Sequence, residues 1–406
     1  MKSKSINLIL FGRFPTERAY GVHATAVARG YSRLGYEATI FYPSTDNEKT
    51  IYEDPKSYYD SQDTYFKKID HHDITKYSWY KVLPKFIQGL LWSTTAYLWS
   101  RKIKHYIDDT ESITWSTNPI LLYGALQDRN LIIFEMHGRA RRIQALALKL
   151  LDRKASSRAI FISSSQHGKE DLLQRKLRTK IEYLHNSVDL DLFKPSKKIN
   201  PASSVLGECL HVGYVGQLET YGVDKGLYLT IDAFHRALNL KPHKDCGPIK
   251  LTIIGGPDKS VEELKKYLNE KKQQESIIID YLGQKKQAEL APIISGFDLG
   301  VVPYPKEEHI SLYSSPMKIF EYAACGIPII ASDISAHKSL ETLNLGIKFY
   351  EAENVESFAH LISNFLHGNN RDGEESLRSL SERNISARNG LSWELRSKKT
   401  LDNLLS

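Results

Sequence analysis

The stretch Tyr313-Ser-Ser-Pro-Met-Lys-Ile-Phe-Glu-Tyr-Ala-Ala-Cys-Gly-Ile-Pro-Ile-Ile-Ala-Ser332 constrains the chain more than any other. It reads as a tight turn, a short helix over about Met317–Cys325, a glycine stop at Gly326 and a buried strand over Pro328–Ser332. Pro316 at the first helical position and Gly326 beyond the last are the asymmetric end signals of a helix. A helix that begins inside a Ser/Pro turn points its first backbone N–H groups outward, and such groups bind phosphate. Ser314, Ser315, Pro316 and Met317 form that turn, and Lys318 adds a full positive charge to it. Glu321, one turn further on, is a carboxylate able to accept two hydrogen bonds from a ribose diol. On residues alone the plainer reading stays ahead: an ordinary turn–helix–strand of an α/β domain, with Lys318 and Glu321 solvated.

The same alternation runs through the rest of the chain. Ile6–Phe11 is a short apolar strand, Gly12–Gly21 a loop, Val22–Leu34 a helical pattern stopped at Gly35, and Ala38–Tyr42 the next strand. No Gly-x-Gly-x-x-Gly is present at this turn, so a dinucleotide oxidoreductase has no support. Gly21 stands where the helix begins, a position at which backbone can approach a ligand closely. Ser44–His72 is polar and charged and reads as a surface excursion. Further strands and turns follow over Ile113–Leu126 and Leu131–Glu135, and Met136-His137-Gly138-Arg139 comes directly after. A His at the carboxyl end of a buried strand in an open α/β sheet sits where ligands bind, although a lone His is more often structural. Ala140–Ser156 reads as a helix with Arg142, Lys149 and Arg153 on one face. Ala159–Ser163, a helix from Gln166 and Ile181–His185 close this half, and Lys197–Val205 looks like linker. The second half opens with a strand ending near Gly216, a loop to Lys225-Gly226 and a helix through about Leu238, again facing phosphate. Ile249–Ile254, Ile277–Leu282 and Asp298–Pro303 read as its next strands, and a helix lies around Val355–Leu366.

Composition narrows the class. A chain of 406 residues, 41% hydrophobic and 25% charged, suits two or three soluble globular domains. Three cysteines without paired spacing fit a reducing, cytoplasmic setting and argue against a disulfide framework or a zinc site. A net charge of +7 points to anionic partners, and no nucleic-acid recognition motif accompanies it. Met1–Asn7 lacks a signal-peptide core, and no apolar run approaches the ~20 residues that span a bilayer. Trp79–Ile107 holds Trp79, Trp92 and Trp99, is apolar on every side from Phe86 to Trp99, and ends in Arg101, Lys102, Lys104 and His105. Two readings stay open: a buried helix of the first domain, or a membrane-interface element with aromatic anchors and basic flanks. The basic face Arg142/Lys149/Arg153 divides the same way, either solvated or meeting membrane or acceptor phosphates.

Several segments together resemble the retaining GT-B glycosyltransferases of family 4, the group 1 glycosyl transferases. Their donor motif is Glu-x7-Glu followed by Ala-x-Gly-x-Pro-Ile/Val. Here Glu321 stands at the second Glu, Tyr313 at the first, and the segment fits a Ser-Pro-x-Lys-x-x-Glu variant. The loop Phe14–Gly21 is similar to the first loop of that family. His185-Asn-Ser-Val-Asp-Leu-Asp-Leu-Phe-Lys-Pro195 resembles its Asn-Gly-Val-Asp-x-x-x-Phe-x-Pro crossover, with Ser187 for Gly. In the Gly-Arg-Leu … Lys-Gly pattern Lys225 matches, and Gln217 replaces the Arg.

The resemblance implies an α/β fold of two Rossmann-like domains facing across a cleft. Residues 1–190 would be the acceptor domain, 191–204 a linker, 205–375 the donor domain, and 384–406, with Trp393, a final helix returning to the first. It implies transfer, with retention, from a nucleotide diphosphate sugar to an acceptor hydroxyl, with a UDP-sugar favoured over a GDP-sugar. The acceptor would be a glycan or lipid-linked molecule of cell-surface glycan or glycolipid assembly, met at the cytoplasmic face of the membrane. Glu321 would hold the ribose, Lys225 the diphosphate, and Lys318 would supply the cation that Gln217 lacks. Tyr281 would lie where the base is recognised, Gly21 and Gly216 along the phosphates, Tyr313–Met317 at the donor, and His137 beside the sugar. Catalysis would fall to His137, Lys225 and Lys318, with no cofactor besides the donor. No Asp-x-Asp stands beside the donor turn, so no metal is expected. The leaving phosphate would take the acceptor proton. Two alternatives stand: a sugar-nucleotide epimerase, or a non-catalytic nucleotide-sugar binding module, since Tyr313 and Gln217 depart from the pattern.

Overall fold

Short apolar runs become parallel strands, and the amphipathic stretches between them become the helices that cover the sheets. The computed structural model describes residues 4–45, 50–107, 112–140, 142–195, 209–220, 222–240, 247–271, 276–366 and 376–405. The expected linker over Lys197–Val205 lies outside the described residues. Two compact units result, Met1–His185 with Trp393–Ser406, and Asn186–Ser392.

Among the described residues the first unit holds seven parallel strands: β1 Ser5–Ile9, β2 Glu37–Pro43, β3 Thr64–Ile69, β4 Ile113–Ser116, β5 Leu131–Met136, β6 Ala159–Ser163 and β7 Lys180–Tyr183. Their order is β3-β2-β1-β4-β5-β6-β7, so direction reverses at β1/β4, where ligands enter open α/β sheets. Leu8 pairs with Ile40 on one side and Trp115 on the other. Helix α1, Ala19–Arg33, follows the first loop, and helix α2, Lys85–Ile103, runs into the core at its far end.

Three expectations change here. Within Ile113–Leu126, read as strands and turns, Pro119–Ala125 is a helix whose first turn is capped by Asn118. The segment read as a surface excursion contains β3, an edge strand pairing Thr64 with Ala38 and Ile69 with Pro43. Its solvent-facing Tyr65 and Lys68 hid a strand whose ends, Thr64 and Ile69, are buried. Helix α2 is divided lengthwise. Ala96, Trp99 and Ile103 are buried, and Trp92 packs edge-on to Phe11 at 5.2 Å, so these two tryptophans are core. Phe86, Leu90 and Leu98 on the same helix are exposed, as are Trp79 and Val82 just before it.

Among the described residues the second unit's sheet holds six parallel strands: β8 Leu210–Gln217, β9 Ile249–Gly256, β10 Ile277–Tyr281, β11 Leu299–Val302, β12 Ile329–Ser332 and β13 Ile347–Tyr350. Their order is β10-β9-β8-β11-β12-β13, with the reversal at β8/β11. Helix α3, Leu227–Asn239, follows β8 through a short hairpin, and helix α4, Met317–Ala324, precedes β12. The last helix, α5, Trp393–Leu405, packs in the first unit against α1. Gly30 permits that approach: a Cβ there would sit 2.8 Å from the Trp393 carbonyl oxygen.

Candidate functional site

In the second unit the donor-type turn forms as its end signals dictate. Pro316 caps α4, Met317 is its first residue, and Gly326 at φ +76° stops it. The first N–H groups of α4 have no acceptor within the helix. The side chains are less free than the sequence suggested. Glu321 is 1% exposed, and Lys318 (19% exposed) donates to its Oε2 at 2.7 Å. The expected ribose ligand and phosphate cation therefore neutralise one another across one helical turn. Ser315 also has a partner: its hydroxyl accepts the Asn186 N–H at 3.1 Å and its carbonyl accepts Asn186 Nδ2 at 2.6 Å. Ser314 donates its hydroxyl to the Ile310 carbonyl, and Tyr313 is buried at the end of helix Glu308–Tyr313.

Lys225 follows the hairpin beyond β8, its Nζ 5.0 Å above the Tyr304 ring, which lies just past β11. Those two strand ends flank the sheet's reversal point, where the fold places ligands. The N-terminus of α3, expected to face phosphate, is taken by the chain itself. Asp224 Oδ2 accepts the Gly226 N–H at 2.7 Å, and burial raises the Asp224 pKa against the pull of neighbouring backbone N–H groups. Gly226 must be glycine, because at φ +88° a Cβ would stand 1.8 Å from the Pro303 carbonyl oxygen. Gly216 and Tyr281 come together around Gly255. The Gly216 carbonyl fills the space a Gly255 Cβ would need, and the Tyr281 hydroxyl donates to the Gly255 carbonyl at 3.0 Å and to Asp258. Burial first, then Asp258, push the Tyr281 hydroxyl up to about 12. One Asp-x-Asp, Asp189-Leu-Asp191, does lie three residues beyond Asn186. Asp189 is buried and its carboxylate accepts the Asp191 N–H at 3.0 Å.

In the first unit, packing also requires a glycine at Gly21. A Cβ at Gly21 would meet the Tyr59 hydroxyl at 2.3 Å and Thr16 Cγ2 at 2.6 Å. Tyr59 hydrogen-bonds both the N–H and the carbonyl of Thr16 at 2.8 Å, so a residue from the supposed surface excursion pins the first loop. His137 stands immediately after β5, one third exposed, with Nε2 3.2 Å from Glu135 Oε1 and Nδ1 3.3 Å from the Ser164 hydroxyl. Its Nε2 is thus turned into the protein.

Behind it lies a cluster that sequence reasoning missed. Glu135 is fully buried and meets Arg396 of α5 at 2.7 Å, His23 of α1 at 3.1 Å and the Trp115 indole N–H at 3.1 Å. A carboxylate inside the apolar run Leu-Ile-Ile-Phe-Glu-Met was the available signal. His23, Glu135 and His137 bring three ligand-type atoms within 4.8 Å of one another. Both Glu135 oxygens, however, face Arg396, at 2.7 and 3.3 Å, so the cation this carboxylate meets is a guanidinium.

Residues 210–368, within the second unit, match the family described as Glycosyl transferases group 1. No curated protein sequence matches the chain. Among solved structures, a glycosyltransferase from Rickettsia africae is 17% identical, with a TM-score of 0.66, and covers 100% of this chain and 98% of its own. The Anabaena HepE protein in complex with UDP and glucose is 14% identical, with a TM-score of 0.62 over 99% and 100% of the two chains. Sucrose-phosphate synthase from Thermosynechococcus elongatus is 15% identical, with a TM-score of 0.64 over 98% of each. At these identities the likeness establishes the fold, two parallel-sheet Rossmann-like domains of GT-B type.

Proposed function

We propose that this protein is a retaining, metal-independent glycosyltransferase of family 4. It takes a sugar from a nucleotide diphosphate sugar, a UDP-sugar by preference, and transfers it to a hydroxyl of a glycan or lipid-linked acceptor. The observation that carries the reading is the turn Ser314–Lys318 with Glu321, formed at the head of α4 inside the stretch that matches Glycosyl transferases group 1. The UDP bound by HepE supports the choice of nucleotide. Transfer requires charge stabilisation on the departing diphosphate. Lys225, Lys318 and the N–H groups at the start of α4 supply it, Lys318 exchanging Glu321 for phosphate as the ribose diol takes its place on the carboxylate. The leaving phosphate accepts the acceptor proton.

The acceptor side carries a second proposal, a peripheral contact with an anionic membrane at its cytoplasmic face. Trp79, Val82, Phe86 and Leu90 are exposed beside the exposed Lys81 and Lys85, and Arg142, Lys149 and Arg153 are exposed elsewhere in the same unit. No helix among the described residues is long and apolar enough to cross a membrane. Such a contact is reversible and weakened by salt.

The test is a thermal-shift screen against UDP-, GDP- and ADP-sugars, followed by donor hydrolysis with and without EDTA. Stabilisation by one UDP-sugar with EDTA-resistant turnover is expected, since a ligand stabilises the state it binds. No stabilisation by any of them, or strict dependence on manganese or magnesium, would overturn the reading. Release of free epimerised donor would replace it by an epimerase.

A further inference from the structure

The Arg396–Glu135 pair is costly to bury, with the two side chains 5% and 0% exposed. Such a pair gains little over apolar residues of the same volume. Helix α5 does not need it for attachment, because Trp393 and Leu401 are already buried from the same helix. Arg396 is nevertheless held from several sides, donating also to the His185 carbonyl at 2.7 Å and the Leu184 carbonyl at 3.1 Å. A guanidinium fixed this firmly, 261 residues from its carboxylate in sequence, is placed for what the carboxylate does next.

We infer that Arg396 and Glu135 are positioning residues for His137: the C-terminal helix supplies the cation that keeps Glu135 ionised, and Glu135 holds the His137 ring with Nε2 inward. Glu135 Oε1 lies 3.2 Å from His137 Nε2, and Nδ1 on the other side of the ring lies 3.3 Å from the Ser164 hydroxyl. The ring is thereby held in one orientation between Glu135 and Ser164. The role in turnover rests on the glycosyl-transfer reading, whereas the arrangement rests on this unit's geometry alone.

The groups facing the cluster are His23 and Tyr31 from α1, Trp115 from β4, Glu135 and His137 from β5, Ser164 after β6, and Arg396 from α5. Burial would raise the Glu135 carboxyl, but Arg396 foremost, then the two histidines within 3.2 Å, hold it well below the usual range. Burial lowers His23 to about 4; Glu135 opposes that, and His137 and Arg396 reinforce it. His23 is therefore neutral at pH 7, and its ring stands edge-on to His137 at 4.5 Å.

The experiment is nitrogen-15 NMR of the histidine rings in the full chain, titrated with pH, beside the pH profile of donor turnover. The wild type should show His137 as the Nε2–H tautomer and His23 uncharged down to about pH 5. In Arg396→Gln the loss of the nearby positive charge should raise the His23 titration, and the His137 ring should lose its single tautomer. Arg396→Lys keeps the charge and should titrate near the wild type. An unmoved His23 titration or a retained His137 tautomer in a folded Arg396→Gln protein, or Arg396→Lys matching Arg396→Gln, would overturn the inference. If Arg396→Gln does not fold, Glu135→Gln/Arg396→Gln removes both charges together, and His137 should then lose its single tautomer. A retained tautomer would overturn the inference equally. The ring titrations need no substrate, so expected titrations without turnover of any donor would count against glycosyl transfer and leave the positioning pair standing.

Discussion

Lys318 and Glu321 form a pair whose two halves are unequally buried, and that inequality predicts opposite costs for removing each. Glu321 is 1% exposed and Lys318 is 19% exposed, 2.7 Å apart. In Lys318→Met the carboxylate is left buried without its cation, a loss of about 3–5 kcal/mol for a buried pair. In Glu321→Gln the ammonium can turn to water, and the cost falls to the ~1 kcal/mol of one ordinary hydrogen bond. For a unit of about 200 residues each kcal/mol shifts Tm by roughly 2–4 °C. Lys318→Met should therefore melt roughly 6–20 °C below the wild type, and Glu321→Gln only about 2–4 °C below. Lys318→Met/Glu321→Gln should recover most of the difference, because the stranded charge is gone. Donor binding ranks the variants differently. A charged hydrogen bond to the ribose is worth ~1.5–3 kcal/mol, so Glu321→Gln should weaken the donor about ten- to a hundredfold by calorimetry despite its near-normal Tm. Equal melting of the two single variants would refute the burial argument. Unchanged donor affinity in folded Glu321→Gln would refute the ribose role.

Acid should destabilise both units through one buried histidine in each. Burial lowers His23 and His337 to about 4 from 6.5, so below pH 6.5 the unfolded chain binds protons that the folded one refuses. That stability is present above the unfolded value and lost as pH falls to the folded one, roughly 3 kcal/mol for each histidine. A Tm that stays level from pH 6.5 to 4.5 would contradict it, and His337→Gln should flatten the second unit's share. The membrane proposal predicts flotation with acidic vesicles at low salt and none with neutral ones. Phe86→Ser/Leu90→Ser should reduce flotation at least tenfold, since each buried side chain contributes about 1.5–3 kcal/mol. Equal behaviour of variant and wild type would leave α2 with no lipid partner.

Local signals were legible wherever neighbours in sequence decide the outcome. Pro316 and Gly326 bound α4 because caps act within one turn, and apolar runs such as Leu131–Met136 became strands because both faces of a parallel sheet are covered. The strand β3 escaped because an edge strand needs only one partner and can expose Tyr65 and Lys68; its pairing with β2 is a tertiary fact. Trp92 and Trp99 were indistinguishable from Phe86 and Leu90 by composition, and only packing against Phe11 and the sheet divided the helix. The same limit separates site residues from their surroundings. The types and spacing of Lys318 and Glu321 left them as solvated side chains of an ordinary turn on residues alone; that each already occupies the other follows from their depth in the fold. Glu135 stood out as a lone charge in an apolar strand, but its partner is Arg396, at the far end of the chain. Sequence spacing carries information over one helical turn or one strand; a buried charge finds its counterion through space, and only the folded chain decides which residue that is.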